Sequence, residues 1–302
     1  MGFRAIGHPS YPSRNFYPPA EAVALAPPGY MEADGASTSE MLPRRKAVGW
    51  CRLCGETRTL SREHIPPRGA GNKGEPTGYT IDDWLKRETL EHLPGGRRSG
   101  GGIWGYTLCR DCNNATGGDY GKEYGRWATL GGEVLAQLPL AEFASGTVPM
   151  GVEAGFPDVD PPALVRQVLS MMASLAGDWR LTEREPVLRS IILGRSEEPL
   201  PTGWELVMNL YAGPRSRLAG PALVVDGADG GWAWLLEAAF PPLAFLLKIA
   251  GPQPIGPGVD LASATAASPG KPRDVRFTCQ VGFGYSPYPG DYRSRGEIEA
   301  AR

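Results

Sequence analysis

The stretch CRLCGETRTLSREHIPPR, residues 51–68, joins a Cys-x-x-Cys pair to an adjacent Glu63 and His64 and then to two prolines. A second pair, CRDC at 109–112, runs directly into Asn113. Each pair can present two thiolates from a tight turn to one tetrahedral ion, which is how structural zinc is bound. The spacing therefore predicts one structural Zn²⁺, bound by Cys51, Cys54, Cys109 and Cys112.

The sequence shows neither an export signal nor a membrane-spanning stretch, and this predicts the cellular compartment. The N-terminus has no continuous apolar region of the kind found in export signals, and no stretch has some 18 uninterrupted apolar residues. We therefore expect a cytoplasmic protein without a membrane segment, in which paired cysteines are metal ligands and not disulfides. The fifth cysteine, Cys279, lies in an apolar stretch and is interpreted as a small buried hydrophobe.

Charge is unevenly distributed along the 302 residues. The whole chain has a formal net charge of −2, which argues against a general polyanion binder. Residues 44–126 nevertheless carry fifteen Lys and Arg against ten Asp and Glu, a net of +5. A basic middle in an otherwise acidic chain favours a nucleic-acid site there.

The Glu63–His64 pair is the candidate for catalysis. A histidine with a pKa near neutrality can take a proton from water. A neighbouring carboxylate suits Mg²⁺ or Mn²⁺, but adjacent side chains on a strand point to opposite faces, so a bulge or turn would be needed to bring both groups to one site. By itself the pair is more simply interpreted as an exposed dipeptide without a role; its position between the two cysteine pairs reverses that preference and favours a site.

Three motifs in this order resemble the zinc-bearing HNH endonucleases, a ββα-metal fold. They are Cys51-x-x-Cys54, Glu63-His64-Ile65-x-Pro67 and Leu108-Cys109-x-x-Cys112-Asn113. The resemblance covers about residues 46–128. It implies that His64 is the general base, that Glu63 and Asn113 bind a catalytic Mg²⁺ or Mn²⁺, and that the substrate is DNA, with RNA not excluded.

One position departs from the family pattern. The family has an asparagine about five residues before the third cysteine, where it steadies the loop that carries the base, and this chain has Trp104 there. Asn72 or Asn114 could take its place, or the loop is held differently. The C-terminal stretch FGYSPYPGDYRSR, residues 283–295, also resembles C-terminal parts of bacterial HNH proteins.

Basic residues supply candidate contacts in both halves of the chain. Phosphate contacts are predicted for Arg62, Arg68, Lys73, Arg97 and Arg98, although each could equally be a solvated loop charge. Two stretches of the C-terminal half, 211–221 and 285–295, combine Tyr, Pro, Gly and Arg. They could line a pocket for a small anionic ligand, present a surface to a protein partner or form plain surface turns; the candidate contacts are Arg215, Arg217, Arg293 and Arg295.

The predicted fold class is α+β. A disordered, Pro/Gly-rich arm over residues 1–43 precedes a zinc-stabilised ββα-metal (HNH, treble-clef-like) domain over 44–145. An α+β domain with a mostly antiparallel sheet follows over 146–302. Helices are expected at 80–93, from 119, at 161–177 and at 185–194, and strands at 204–213, 221–227, 231–240, 243–251 and 274–285.

The predicted function is that of a metal-dependent HNH endonuclease with a C-terminal recognition or regulatory domain. The alternative is a zinc-stabilised module that binds nucleic acid or protein without cutting. A redox role for the cysteine pairs is less favoured, because one zinc explains four matched thiolates.

Overall fold

The structure, a computed structural model, describes residues 20–26, 41–80, 83, 96–141, 151–225, 231–256, 258–286 and 288–300. Its strands are β1 (Val48–Trp50), β2 (Thr57–His64), β3 (Thr77–Gly78), β4 (Arg97–Arg98), β5 (Trp104–Cys109), β6 (Gly151–Val159), β7 (Glu205–Tyr211), β8 (Arg217–Val225), β9 (Trp232–Phe240), β10 (Leu243–Ala250), β11 (Val259–Asp260) and β12 (Arg273–Gly282). Its α-helices are α1 (Ala20–Ala24), α2 (Arg110–Gly117), α3 (Asp119–Ala136), α4 (Pro161–Leu175), α5 (Leu181–Arg184), α6 (Pro186–Ile192) and α7 (Arg295–Ala300). The helix predicted over 80–93 lies outside the described residues, apart from its first residue and Asp83.

A small antiparallel sheet carries the motifs of the sequence. Its strand order is β1-β2-β5, and β2 pairs with β5 so that Leu60 lies opposite Cys109 and His64 lies opposite Trp104. Helix α2 begins directly after β5, which places Cys112 and Asn113 in its first turn. The two strands and the helix therefore bring the histidine end and the cysteine end of the motif onto one compact unit.

A larger sheet of seven strands forms the C-terminal part. The strand order is β6-β12-β7-β10-β9-β8, with β11 also paired to β7, and every pair is antiparallel except β12 with β7. The mostly antiparallel sheet and its five predicted strands are confirmed. Strand β6 was not predicted, because Gly151, Gly155 and Pro157 are unusual in a strand. Its side chains nevertheless alternate between buried and exposed over most of its length.

Helix α4 lies between the two sheets. Asp160 caps it by accepting a hydrogen bond from Ala163 N at 3.1 Å, and two prolines occupy its first turn. The sequence predicted a helix with one apolar face, but all of its residues are buried, because α3, α6 and strands β8 and β9 pack around it and Ser174 bonds to Glu63 of the small sheet. No helix in the described part of the chain, α4 included, is both long and apolar enough to cross a membrane.

The hydrophobic core is continuous across the predicted boundary at residues 145 and 146. One cluster of buried side chains includes Leu53 and Leu108 from the small sheet and Phe245 from the large one. On α3, the ring of Trp127 lies 5.1 Å from that of Phe156 in β6, centroid to centroid. The segments 44–145 and 146–302 therefore share one core.

Two described pieces of the predicted N-terminal arm pack on this core. In α1, Ala22 is fully buried and its carbonyl accepts a hydrogen bond from Trp234 Nε1 at 3.0 Å. Before β1, Met41 and Leu42 pack against the core, and Met41 O accepts from Arg52 Nη1 at 2.6 Å. The expectation of a disordered arm is therefore wrong for residues 20–26 and 41–43, where short apolar side chains find a complementary surface.

Candidate functional site

The four paired cysteines converge as their spacing predicts. Their sulfur atoms all lie within 4.8 Å of one another, and Cys54 Sγ is 4.0 Å from Cys109 Sγ. A tetrahedral zinc with Zn–S bonds of about 2.3 Å requires sulfur atoms about 3.8 Å apart. The cluster could therefore hold a metal ion such as zinc, with small adjustments of the sulfurs.

Local backbone geometry prepares the cluster for thiolate chemistry. Gly55 adopts a φ of +74°, which lets its N–H donate to Cys51 O at 2.8 Å and closes the first turn. Cys51 Sγ accepts from Cys109 N at 3.2 Å. A hydrogen bond from the Cys112 thiol, helped by backbone N–H groups, lowers the pKa of Cys51 despite its burial. A thiolate is the form that binds a metal.

His64 is oriented by a backbone carbonyl. Its Nε2 lies 3.1 Å from Gly101 O, and because a carbonyl can only accept, Nε2 carries the proton and Nδ1 remains an acceptor. Burial lowers the pKa of His64, and the charges of Arg62 and Arg68 lower it further, while the bond to Gly101 O works the other way. The ring is therefore held in its neutral form near pH 7, with one nitrogen able to take a proton.

A glycine-rich turn, residues 99–102, supplies that carbonyl and two further contacts. Gly100 O accepts from Trp104 Nε1 at 3.0 Å and from Arg62 Nη2 at 3.2 Å. Gly102 adopts a φ of +92°, and a Cβ on it would lie 2.5 Å from backbone and side-chain oxygens of Asn72. Only glycine fits there, so the turn fixes the position of the histidine and its neighbours.

Asn72 fastens the loop that follows His64. Its Nδ2 donates to Pro66 O at 2.7 Å and to Ile103 O at 2.8 Å, and its Oδ1 accepts from Ile103 N at 2.6 Å. The side chain is almost fully buried, whereas Asn114 is exposed. Of the two asparagines considered from the sequence, Asn72 is the one that holds this loop.

Glu63 lies away from His64, in the interior. It is 4% exposed and accepts hydrogen bonds from Thr107 Oγ1 and, at 2.7 Å, from Ser174 Oγ. Burial raises the pKa of Glu63 to about 7, against the opposing effect of these two hydroxyls. The register of the β2–β5 pair shifts between Ser61 and Arg62, where Thr107 of β5 is the extra residue. No bulge therefore separates Glu63 from His64, and they keep the opposite orientations of neighbouring strand residues.

Asn113 ties α2 to β2. Its Nδ2 donates to Ser61 Oγ at 3.0 Å and to Arg62 O at 2.9 Å. A hard cation held jointly by Glu63 and Asn113 does not fit this arrangement, because the carboxylate is enclosed on the inner face of β2. Among the described residues, three or more His, Cys, Asp or Glu ligands converge only at the four cysteines.

The predicted phosphate contacts are all exposed. Arg62 stacks on the ring of Trp104, 4.1 Å from its centroid, and both Arg62 and Arg68 are close enough to lower the pKa of His64. Lys73 follows the buried Asn72, and strand β4, just before the glycine-rich turn, contributes the last two: Arg97 and Arg98. The positive charges of Arg62 and Arg68 therefore lie near the histidine.

Three arginines of the C-terminal part are paired within the chain. Arg217 forms a buried ion pair with Glu237 at 2.6 Å, which also fixes it beneath the C-terminal segment. The other two pairs are Arg293–Asp291 and Arg295–Glu299, each at 2.7 Å. Internal carboxylates therefore pair with three of the four candidate arginines, and the fourth, Arg215, accepts a hydrogen bond from Tyr211 Oη at its backbone carbonyl, at 2.7 Å. A small anionic ligand or a protein partner at this part of the chain stays a prediction.

Comparison of the chain with models of known protein families, with curated proteins and with solved structures gave no match. The feature that connects it to known classes of protein is thus the four-cysteine cluster, whose arrangement is zinc-finger-like.

Proposed function

We propose that the chain is an HNH-type endonuclease that hydrolyses phosphodiester bonds in DNA. The observation that carries this proposal is the state of His64: a neutral imidazole at the end of β2, with Nε2 bonded to Gly101 O and Nδ1 available as an acceptor. The unit of β2, β5 and α2, with cysteines at its far end, is what a ββα-metal fold would require. Asn72 would do the work of the family's loop-steadying asparagine.

In this proposal His64 Nδ1 accepts a proton from the water that attacks the phosphorus atom. Arg62 and Arg68 bind the non-bridging oxygens of the same phosphate, which gain charge as the transition state forms. Asn113 keeps α2 against β2, so that the helix and His64 would approach the DNA strand together. RNA offers the same phosphodiester chemistry and is the second possible substrate.

The two metal sites stand differently in this proposal. A zinc ion bound by the four cysteines is structural, because four thiolates leave no open position for substrate, and it joins β1, β5 and α2. A catalytic Mg²⁺ or Mn²⁺ would stabilise charge on the leaving oxygen when bound. Since Glu63 is enclosed, no step is assigned to it here.

A zinc-stabilised module that binds nucleic acid or protein without cutting is the second candidate. The burial of Glu63 favours it, because the His64 side of β2 then lacks the carboxylate that would hold a catalytic cation. The exposed arginines near His64 could bind nucleic-acid phosphates equally well in a protein that does not cut.

Nicking of supercoiled plasmid with added Mg²⁺ or Mn²⁺ separates the two candidates. We expect the wild type to nick and His64→Ala to be slower by about 100-fold or more, since general-base catalysis contributes at least that factor. Asn114→Ala, a change at an exposed position of α2, is the matched control and should cut like the wild type. Binding of the plasmid without cutting under either metal would favour the non-catalytic module.

A further inference from the structure

A cavity of about 460 Å³ lies at the cysteine end of the small sheet. Its walls include Trp50, Leu53 and Cys54 on one side and Arg180, Glu183 and Arg189 on the other. Trp50 pairs with Thr57, seven residues before His64, which separates cavity and histidine by roughly 23 Å of strand. The cavity is therefore distinct from the site around His64, and its volume falls in the range of small-ligand pockets.

The cavity offers an aromatic surface with a cation beside it. The half-buried indole of Trp50 has the Arg180 guanidinium 5.1 Å from its ring centroid. Proteins that hold single-stranded nucleic acid combine such aromatic platforms with arginines, because every base has a flat π-face. Trp50 and Arg180 together supply this combination.

The backbone of Arg180 is evidence that its side chain is needed. Its φ of +50° and ψ of +53° lie in the left-handed region, which is unfavourable for any residue with a Cβ. The conformation lets Arg180 O accept from Glu183 N at 2.9 Å and from Arg184 N at 3.1 Å, starting α5. Glycine would adopt the same backbone conformation without strain, so the side chain of Arg180 is not needed for the turn itself. Strained residues cluster at functional sites, which favours a role for the guanidinium.

Charge around the cavity selects the kind of ligand. The Arg189 guanidinium has no hydrogen bond or ion pair within the described chain, and the Arg180–Glu183 pair at 3.3 Å is more than half exposed and therefore weak. On the opposite wall, four thiolates around one Zn²⁺ would leave excess negative charge beside Cys54. A compact multivalent anion is disfavoured there, whereas a flat heterocycle with acceptor atoms for arginine is not.

We infer that this cavity binds an unpaired nucleobase, stacked on Trp50 and contacted by Arg180 and Arg189. This inference rests on the proposed function. It narrows the substrate to nucleic acid with a single-stranded segment, which would lie about 23 Å from the cleaved bond, the length of strand between Trp50 and His64. A base inside a duplex is stacked on both sides and cannot enter, so the cavity discriminates single strands from duplex.

The test compares binding of fluorescein-labelled single-stranded 12-mers and the matching duplex, by anisotropy without added divalent metal. Trp50→Ala should weaken single-strand binding by about tenfold or more, the usual effect of losing one stacking platform, and Trp50→Phe should keep most of the affinity. Arg180→Gly should also weaken it while leaving the melting temperature unchanged or higher, because glycine relieves the strained φ. Arg276→Gln, the loss of an exposed cation in β12, is the control for net charge.

Each outcome separates the cavity from the nuclease. Single-strand binding that depends on Trp50 and Arg180, without cutting of the plasmid or of the single strands when Mg²⁺ or Mn²⁺ is added, supports the cavity and overturns the nuclease. Cutting that depends on His64, with single strands bound equally by Arg180→Gly and wild type, overturns the cavity alone. Equal loss of single-strand and duplex binding in the variants also overturns it, since that marks a general basic patch. If Trp50→Ala also loses zinc, its weaker binding could come from misfolding, and the Arg180→Gly result alone then tests the cavity.

Discussion

Glu63 and His64 are neighbours in the chain, yet they lie in different environments. His64 faces the glycine-rich turn and two arginines, which keep its ring neutral and oriented. Glu63 faces α4 and two hydroxyls, and burial keeps much of its carboxyl protonated near neutral pH. The alternation of side chains along β2 thus separates a group suited to proton transfer from a group suited to joining two layers of the fold.

The protonation of Glu63 makes the free energy of unfolding depend on pH. Because its folded pKa of about 7 is above the usual 4.5, its contribution is complete below pH 4.5 and is lost as pH rises through 7. Between pH 5.5 and pH 8 the wild type should lose about 2 kcal/mol relative to Glu63→Gln. Urea unfolding of both proteins across this range measures it; parallel pH curves would show that Glu63 is not the buried acid described here.

Sequence reasoning reached some residues and not others for physical reasons. The four cysteines were predictable because two short spacings determine a tetrahedral site without knowledge of the rest of the fold. The placement of Glu63 was not, since only the pairing of β2 with β5 shows that no bulge separates Glu63 from His64. The role of Asn72 depends likewise on Ile103, which lies 31 residues later, just beyond the glycine-rich turn, and bonds to it.

At the scale of elements, the glycine-rich turn and the Asn72 loop form one connected support for His64. The turn reaches the histidine through Gly101 O, and Asn72 joins the loop after the histidine to Ile103, just beyond the turn. The 3₁₀ turn Arg68–Ala70 continues that loop and packs on α3, where a Cβ on Gly125 would lie 3.2 Å from the Gly69 backbone. Loosening any of these contacts should move the imidazole.

Gly102→Ala should disrupt this support. The new Cβ meets Asn72 oxygens at 2.5 Å and forces a side chain into a φ of +92°, so a loss of 2 kcal/mol or more, on the order of a severe core substitution, is expected. Gly100→Ala is the matched control in the same turn, because a Cβ there meets nothing within 4 Å. Equal urea midpoints for the two variants would contradict this account of the turn.

Asn72→Ala removes three hydrogen bonds at a buried position. We expect a loss of about 2–4 kcal/mol, since the polar groups of Pro66 and Ile103 lose their partners, together with slower plasmid nicking. The exposed Asn114 provides the control, whose change to Ala should shift the free energy of unfolding by less than about 0.5 kcal/mol. Denaturant titration gives both values, and a harmless Asn72→Ala would mean that the loop is held by other contacts.

Helices and strands were predictable where their own sequence pattern determines them, and not where tertiary pairing does. Helix α4 was predictable from its apolar spacing and its prolines, although its complete burial was not, because a helix sequence does not show that both flanks are covered. The C-terminal strands are apolar runs between glycines and prolines and were read correctly. Strand β6 was missed because its pairing with β12, and not its composition, makes it a strand.

At the scale of the whole molecule, the histidine and cysteine motifs depend on the C-terminal part. Ser174 of α4 bonds to Glu63, and Thr182 Oγ1 donates to Arg52 O at 2.8 Å, so both ends of the small sheet are attached to residues beyond 146. Large rings such as Trp127 and Phe245 belong to one core. The sequence suggested two domains because motif and composition change near residue 145, whereas the packing connects them.

A fragment of residues 44–145 should therefore not fold alone. It exposes the surface of α3 that packs on α4, and it leaves Glu63 without Ser174. Its amide proton NMR spectrum with one equivalent of zinc should lack the dispersion of the same residues in the full chain. A dispersed spectrum, with zinc retained, would establish an autonomous domain and contradict the shared core.

The central claim is that His64 performs the proton transfer in a site from which Glu63 is excluded. The most direct measurement is the nicking rate of supercoiled plasmid, with added Mg²⁺ or Mn²⁺, for Glu63→Gln beside His64→Ala. The account predicts a rate within about threefold of wild type for Glu63→Gln and a loss of about 100-fold or more for His64→Ala. Equal inactivity of the two variants, with zinc content and folding intact, would place Glu63 in the reaction and contradict the account.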